Sequence, residues 1–121
     1  MTETETFMLH VAESVPALSG VFQEHKADYD EILPHVLMGD VSRAALQLAG
    51  QAQNGSPLAE DALKRLVEEL ERGLQGSGEA VEELIVVSFL ENLDANDPRF
   101  PELEKHFGPQ LRWEWSRLGE A

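Results

Sequence analysis

Leu84-Ile85-Val86-Val87-Ser88-Phe89-Leu90 is the stretch on which the fold turns. It is almost wholly apolar and rich in β-branched side chains, so it fits a buried strand as well as a helix. Its flanks settle the matter. Ala80-Val81-Glu82-Glu83 before it and Glu91-Asn92-Leu93 after it lengthen the segment without a breaker. A lone strand would have nothing to pair with. The spacing therefore predicts a central helix over Val81–Leu93, buried on most sides, which Asn96-Asp97-Pro98 ends.

On the N-terminal side, Ser56-Pro57 is a helix start: a hydroxyl cap, then the residue that loses nothing at the first position. Leu58, Ala62, Leu63, Leu66, Val67, Leu70 and Leu74 follow at a period near 3.6, and Gly76-Ser77-Gly78 stops them. Glu60–Lys64, Asp61–Arg65 and Glu68–Arg72 stand at i,i+4 in the favourable order. Further upstream, Thr4 or Thr6 opens a first helix carrying Phe7, Met8, Val11 and Ala12. Pro16 ends it and opens a second, to about Tyr29, expected to bury Leu18, Val21, Phe22 and Tyr29. Pro34–Met38 reads as a short helix stopped by Gly39 in a left-handed conformation. Asp40 then caps a further helix over Val41–Gln53. Downstream, two short helices are expected, Pro101–Phe107 and Pro109–Leu118, split at Gly108-Pro109. Phe107, Trp113 and Trp115 would cap the bundle. Trp113 and Trp115 lie about 200° apart on a helix, so one packs and the other is partly exposed. The fold class is all-α: one compact bundle of about five to seven helices over residues 1–121, with 1–5 frayed and Leu58–Leu74 and Val81–Leu93 at its centre.

Size and composition agree with one domain. The chain has 121 residues, 42% of them hydrophobic, enough for one core. The absence of cysteine excludes disulfide frameworks, Cys–zinc sites and thiol catalysis. No apolar run approaches a membrane span, and the N-terminal MTETETFMLH lacks the basic region of a signal peptide, so a cytoplasmic location is expected. The formal net charge of −14 is wrong for nucleic acid or anionic membranes. It is also uneven. Residues 1–55 and 79–97 each carry −6, residues 56–78 carry −2, and residues 98–121 are neutral.

Two acid clusters follow from this. Asp28, Asp30 and Glu31 surround a helix junction, with Glu24 one turn earlier; Glu91, Asp94 and Asp97 lie near i, i+3, i+6 at the end of the central helix. Carboxylates at a helix C-terminus face the negative end of its dipole. A sequence shaped for stability alone would place Lys or Arg there. The clusters fit first a solvated face that confers solubility, and next a basic protein partner. A divalent cation would also suit them, although no calcium-loop spacing is present.

Signals for chemistry are sparse. The histidines are His10, His25, His35 and His106. His25, Asp28, Glu31 and His35 fall at helical intervals, but Pro34 interrupts that stripe. No Glu-x-x-His or H-E-x-x-H occurs, so no metal and no cofactor are expected. His35 is expected to donate to a neighbouring carbonyl or acid. The serines include no G-x-S-x-G elbow, and Ser88 is expected to bond back to a carbonyl of its own helix. No glycine-rich phosphate loop is present. Paired carboxylates carry little information where acids are this abundant.

Leu33-Pro34-His35-Val36-Leu37-Met38-Gly39-Asp40 and Glu82-Glu83-Leu84-Ile85-Val86-Val87-Ser88-Phe89-Leu90-Glu91-Asn92-Leu93, in this order, resemble a family of small uncharacterised bacterial proteins of the domain-of-unknown-function kind. The resemblance spans about residues 7–115. It implies an all-helical fold and supplies no catalytic residue. Small acidic proteins of this sort look like immunity proteins of bacterial toxin systems. The expected function is therefore a non-catalytic binding module, an immunity or antitoxin protein that blocks a basic toxin through Glu24, Asp28, Asp30, Glu31, Glu91, Asp94 and Asp97. The alternatives are an oligomeric structural or stress-related protein, and a metal- or carboxylate-dependent enzyme.

Overall fold

The computed structural model describes residues 1–119, which form seven α-helices and no strand. They are α1 (Glu3–Ser14), α2 (Ser19–Tyr29), α3 (Pro34–Gln53), α4 (Pro57–Gly76), α5 (Glu79–Ser88), α6 (Phe100–Glu104) and α7 (Pro109–Gly119). Short 3₁₀ turns, Pro16–Leu18 and Leu90–Asn92, precede α2 and follow α5. The all-α class is as read.

Local capping differs at the start. Thr2, not Thr4 or Thr6, caps α1: its hydroxyl accepts the Glu5 N–H at 3.1 Å, and the Glu5 carboxylate accepts the Thr2 N–H at 3.4 Å. This reciprocal pair satisfies two of the helix's orphan donors. Pro16 ends α1 as expected, but it opens a 3₁₀ turn, and α2 starts only at Ser19. On α2 the buried residue is His25; Tyr29, expected inside, is about half exposed. Asp30 ends α2 in the left-handed region (φ 58°), its N–H bonded to the Lys26 carbonyl at 2.8 Å.

The main correction concerns α3. Gly39 does not stop it and Asp40 does not cap anything: Pro34–Gln53 is one 20-residue helix. Asp40 instead pairs sideways with Arg43. A helical glycine costs about 1 kcal/mol against alanine, and the burial of nine residues along this helix outweighs that. α3 is also the hub. It packs against α1, α2, α4, α5 and α6, whereas the centre expected from the sequence was the next two helices.

α4 begins as read, with the Ser56 hydroxyl accepting the Ala59 N–H at 3.2 Å and Pro57 at the first position. Its ion pairs are only partly as read. Asp61–Arg65 forms at 2.9 Å, but Arg72 pairs with Glu69 and Glu60 reaches Lys105 at 3.6 Å. α5 stops at Ser88, five residues before the expected Leu93. The Asn92 side chain donates to the Ser88 carbonyl at 2.7 Å and the Ser42 hydroxyl to that of Phe89 at 3.2 Å, so the helical ladder ends there. Nor is α5 buried all round: Val81, Leu84, Ile85 and Ser88 face inward, while Glu82, Glu83 and Val87 face solvent.

At the C-terminus α6 is shorter than expected, and α7 leans on α4. The Glu71 carboxylate accepts the N–H groups of Gln110 (2.5 Å) and Leu111 (3.1 Å), capping α7 from a neighbouring helix. Trp115 packs on Phe100 with ring centroids 4.9 Å apart, and Phe107 is buried beside it. Trp113, expected to help cap the bundle, is 55% exposed, with the Arg117 guanidinium 4.6 Å above its ring. Among the described residues no helix is long and apolar enough to cross a membrane.

Candidate functional site

The junction between α2 and α3 is organised by one imidazole. Leu33, the last residue before Pro34, keeps a free N–H as the chain turns. His25 Nε2 accepts that proton at 3.0 Å. A ring nitrogen that accepts is unprotonated, so the neutral ring carries its proton on Nδ1. That Nδ1 is buried and has no hydrogen-bond partner. His25 is only 2% exposed, and the Tyr29 ring lies 4.9 Å from it, one turn on.

His25 forms part of the wall of an open groove of about 340 Å³ between α2 and α3. Glu24 and Asp28 line it from α2, and Asp40 and Arg43 from α3. Arg43 is bound to Asp40, while Glu24 and Asp28 make no ion pair among the described residues. The groove thus has more negative than positive charge.

The second acid cluster reaches the same part of α3 from the opposite end of the sequence. His35 Nδ1 and the Ser88 hydroxyl are 2.5 Å apart, which ties the end of α5 to the first turn of α3. Both residues were expected to bond elsewhere, Ser88 within its own helix and His35 to a carbonyl or acid. Asn92 Nδ2 lies 3.5 Å from where a Gly39 Cβ would stand. Glu91 precedes Asn92 in this turn, and Asp30 and Glu31 lie between α2 and α3. All three are exposed. The spacing of Glu91, Asp94 and Asp97 is not helical, because α5 has already ended.

Asp94 and Asp97 lie further along. Asp94 accepts the Asn96 N–H at 2.9 Å in a local turn. Arg99, whose side chain approaches Gly50, holds Asp97 with two side-chain bonds (3.0 and 2.8 Å) and its backbone N–H (2.8 Å). Gly39 and Gly50 are eleven residues apart, about 16 Å along a helix axis. The hydrogen bonds from Arg99 push the Asp97 carboxyl down to about 2 from 3.8. Asp97 is thus internally paired. Glu24, Asp28, Asp30, Glu31, Glu91 and Asp94 make no ion pair among the described residues.

Other polar clusters are mostly paired from within, although His106 Nε2, like His25 Nδ1, is buried without a hydrogen-bond partner. Glu69 is buried but bonded to His10 at 2.8 Å and to Arg72. Glu60, Glu102 and His106 place ligand-type atoms within 4.8 Å of one another. The Lys105 ammonium, 2.7 Å from Glu102 and 3.6 Å from Glu60, already supplies the positive charge there. Desolvation, and then the Lys105 charge, lower the affinity of His106 for a proton. The His35–Ser88 pair has no carboxylate behind the imidazole among the described residues. Its hydroxyl also sits at a helix C-terminus, where the dipole opposes a developing oxyanion.

Sequence reasoning missed His25, Asp40 and Arg43 as groove residues. Asp40 read as a cap because Gly39 read as a stop. His25 carried no signal, since its partner is a backbone N–H eight residues away. Among curated proteins and among solved structures, nothing matches the chain. The family described as a domain of unknown function (DUF7674) matches residues 8–120, including both motifs that carry the resemblance, and the chain belongs to it.

Proposed function

We propose that this chain is a non-catalytic binding protein that docks a basic protein partner, in the manner of an immunity protein covering a toxin. The docking set is Glu24, Asp28, Asp30, Glu31, Glu91 and Asp94. The observation that carries this reading is that these six exposed acids, at the α2–α3 junction and in the turn after α5, make no ion pair among the described residues. Some acids elsewhere are neutralised, Asp97 by Arg99, Glu69 by Arg72 and Glu102 by Lys105, whereas others, such as Glu79, Glu82 and Glu83 on α5, make no ion pair among the described residues. Leaving Asp28 in the last turn of α2 opposes the helix dipole at a cost of a few tenths of a kcal/mol to about 1 kcal/mol. A surface that concentrates one sign of charge speeds encounter with the opposite sign and loses that advantage as salt rises.

The test is kinetic. The protein is mixed with the product of an adjacent toxin-like reading frame, and association is followed from low to physiological salt. Replacing the six acids by Lys should slow association at least about tenfold at low salt and flatten its salt dependence. An association rate indifferent to the reversal eliminates this docking surface.

A further inference from the structure

We infer that the α2–α3 groove is a receptor for one arginine residue of an extended basic segment, and that His25 is its backbone reader. This deepens the docking function proposed above and rests on it. Two independent observations converge on the groove. One is charge: Glu24 and Asp28, one turn apart on α2, line the groove without an ion pair among the described residues, opposite the Asp40–Arg43 pair of α3. The other is the His25 donor. Its Nδ1–H is committed to the protonated side of the ring by the Leu33 bond, is buried, and has no acceptor. A buried donor without an acceptor is costly. The residue that carries it lines an open polar groove.

An occupant that answers both features carries a cation and a hydrogen-bond acceptor a side chain's length apart. An arginine residue within a peptide does so. Its guanidinium reaches Glu24 and Asp28, and a small shift of the side chains covering His25 Nδ1 lets its carbonyl accept that proton. Arginine suits the walls better than lysine for two reasons. Its planar fork presents several donors to carboxylates at once. It also stacks on aromatic faces, and the Tyr29 ring, half exposed beside His25, offers one. The Asp40–Arg43 pair lines the far wall.

The probe is N-acetyl-arginine methylamide, titrated into the isotopically labelled full chain and followed by the amide and imidazole nitrogen resonances. Saturable shifts confined to residues 24–29, 33 and 40–47, with a displaced His25 Nδ1 signal, are expected. The citrulline analogue, which keeps the shape and loses the charge, should bind at least about tenfold more weakly, as should Glu24→Gln/Asp28→Asn. His25→Gln places an amide oxygen where Nε2 accepts from Leu33 and removes the Nδ1 donor. It should keep the helical spectrum and weaken the probe several-fold. The inference is overturned by the absence of saturation, by equal binding of citrulline or of the lysine analogue, or by a folded His25→Gln chain that binds the probe normally. Reversal of Asp30, Glu31, Glu91 and Asp94, all outside the groove, separates the two proposals. If that reversal slows partner association while the probe fails to bind, the groove assignment alone falls.

Discussion

Gly73→Ala probes how closely α4 is crossed by its neighbours. A Cβ at Gly73 would stand 2.8 Å from Ile85 Cδ1 and 2.8 and 2.9 Å from Phe7 Cε1 and Cζ. Carbon atoms in contact sit at about 3.5–4.0 Å, so each approach is short by about 0.6 Å or more. Phe7 and Ile85 are both buried and come from different helices, α1 and α5, so two packed side chains must move for one methyl group. Overpacking of this kind costs about 1–3 kcal/mol. Against it stands the gain of about 1 kcal/mol from removing a glycine inside a helix. The net expectation is a loss of up to about 2 kcal/mol, or a fall in Tm of up to about 8 °C for a domain of this size. Urea unfolding followed by circular dichroism measures it, with an unchanged m-value showing that only stability has moved. Ile85→Val removes the Cδ1 atom that is in the way. On its own it should cost about 0.5–1.5 kcal/mol. Combined with Gly73→Ala it should cost less than the two together by at least about 0.5 kcal/mol, as residues in contact do. A stabilising Gly73→Ala, or strict additivity with Ile85→Val, refutes the close crossing of α1, α4 and α5.

Gly39→Ala should do the opposite: its Cβ meets nothing nearer than Asn92 Nδ2 at 3.5 Å, an ordinary contact. The helical gain of about 0.5–1 kcal/mol should then appear as a higher urea midpoint, and a lower one would contradict α3 running unbroken through residue 39. Gly108→Ala places a Cβ 2.6 Å from the Glu71 carboxyl carbon, so it should dislodge the cap of α7. It should cost about 1 kcal/mol or more, and Glu71→Ala should cost a similar amount. The readout is faster amide exchange at Gln110 and Leu111, and unchanged exchange there would exclude the cap. The Asp97–Arg99 pair sets a pH limb. With the folded carboxyl at about 2 and the unfolded one at 3.8, the native state binds fewer protons between these values. The contribution of this pair is therefore fully present above about pH 4 and is lost as pH falls towards 2. The stability advantage of the native chain over Arg99→Met should shrink through that window, and parallel pH curves would show that the pair does not titrate as described.

The readable parts of the chain were those governed by neighbours in sequence. Ser56-Pro57 and the leucine stripe behind it became α4 because a hydroxyl cap, a proline at the first turn and a 3.6-residue period all act within one helix. Gly108-Pro109 separated the last two helices for the same local reason. Reading Leu84–Leu90 with its flanks gave helix over strand correctly, though not its end. Of the acids, their number and their division between two segments were visible in the sequence. Their use was not: Arg99, only two residues after Asp97, holds it with three bonds, while the neighbouring acids Glu91 and Asp94 stay without an ion pair among the described residues.

From the order of its residues alone, this protein is an acidic, all-helical domain with α4 as its best-defined element. Those properties come from composition, periodicity and caps, which need no distant partner. Folding in three dimensions settled the rest. Gly39 stays helical because burial along α3 exceeds a local penalty of about 1 kcal/mol. α5 ends early because Asn92 and Ser42 take its last carbonyls. Glu60 pairs with Lys105, just after α6, rather than with Lys64 on its own helix. Each of these choices sets a weak local preference against contacts made between helices, and the packing interactions are the larger.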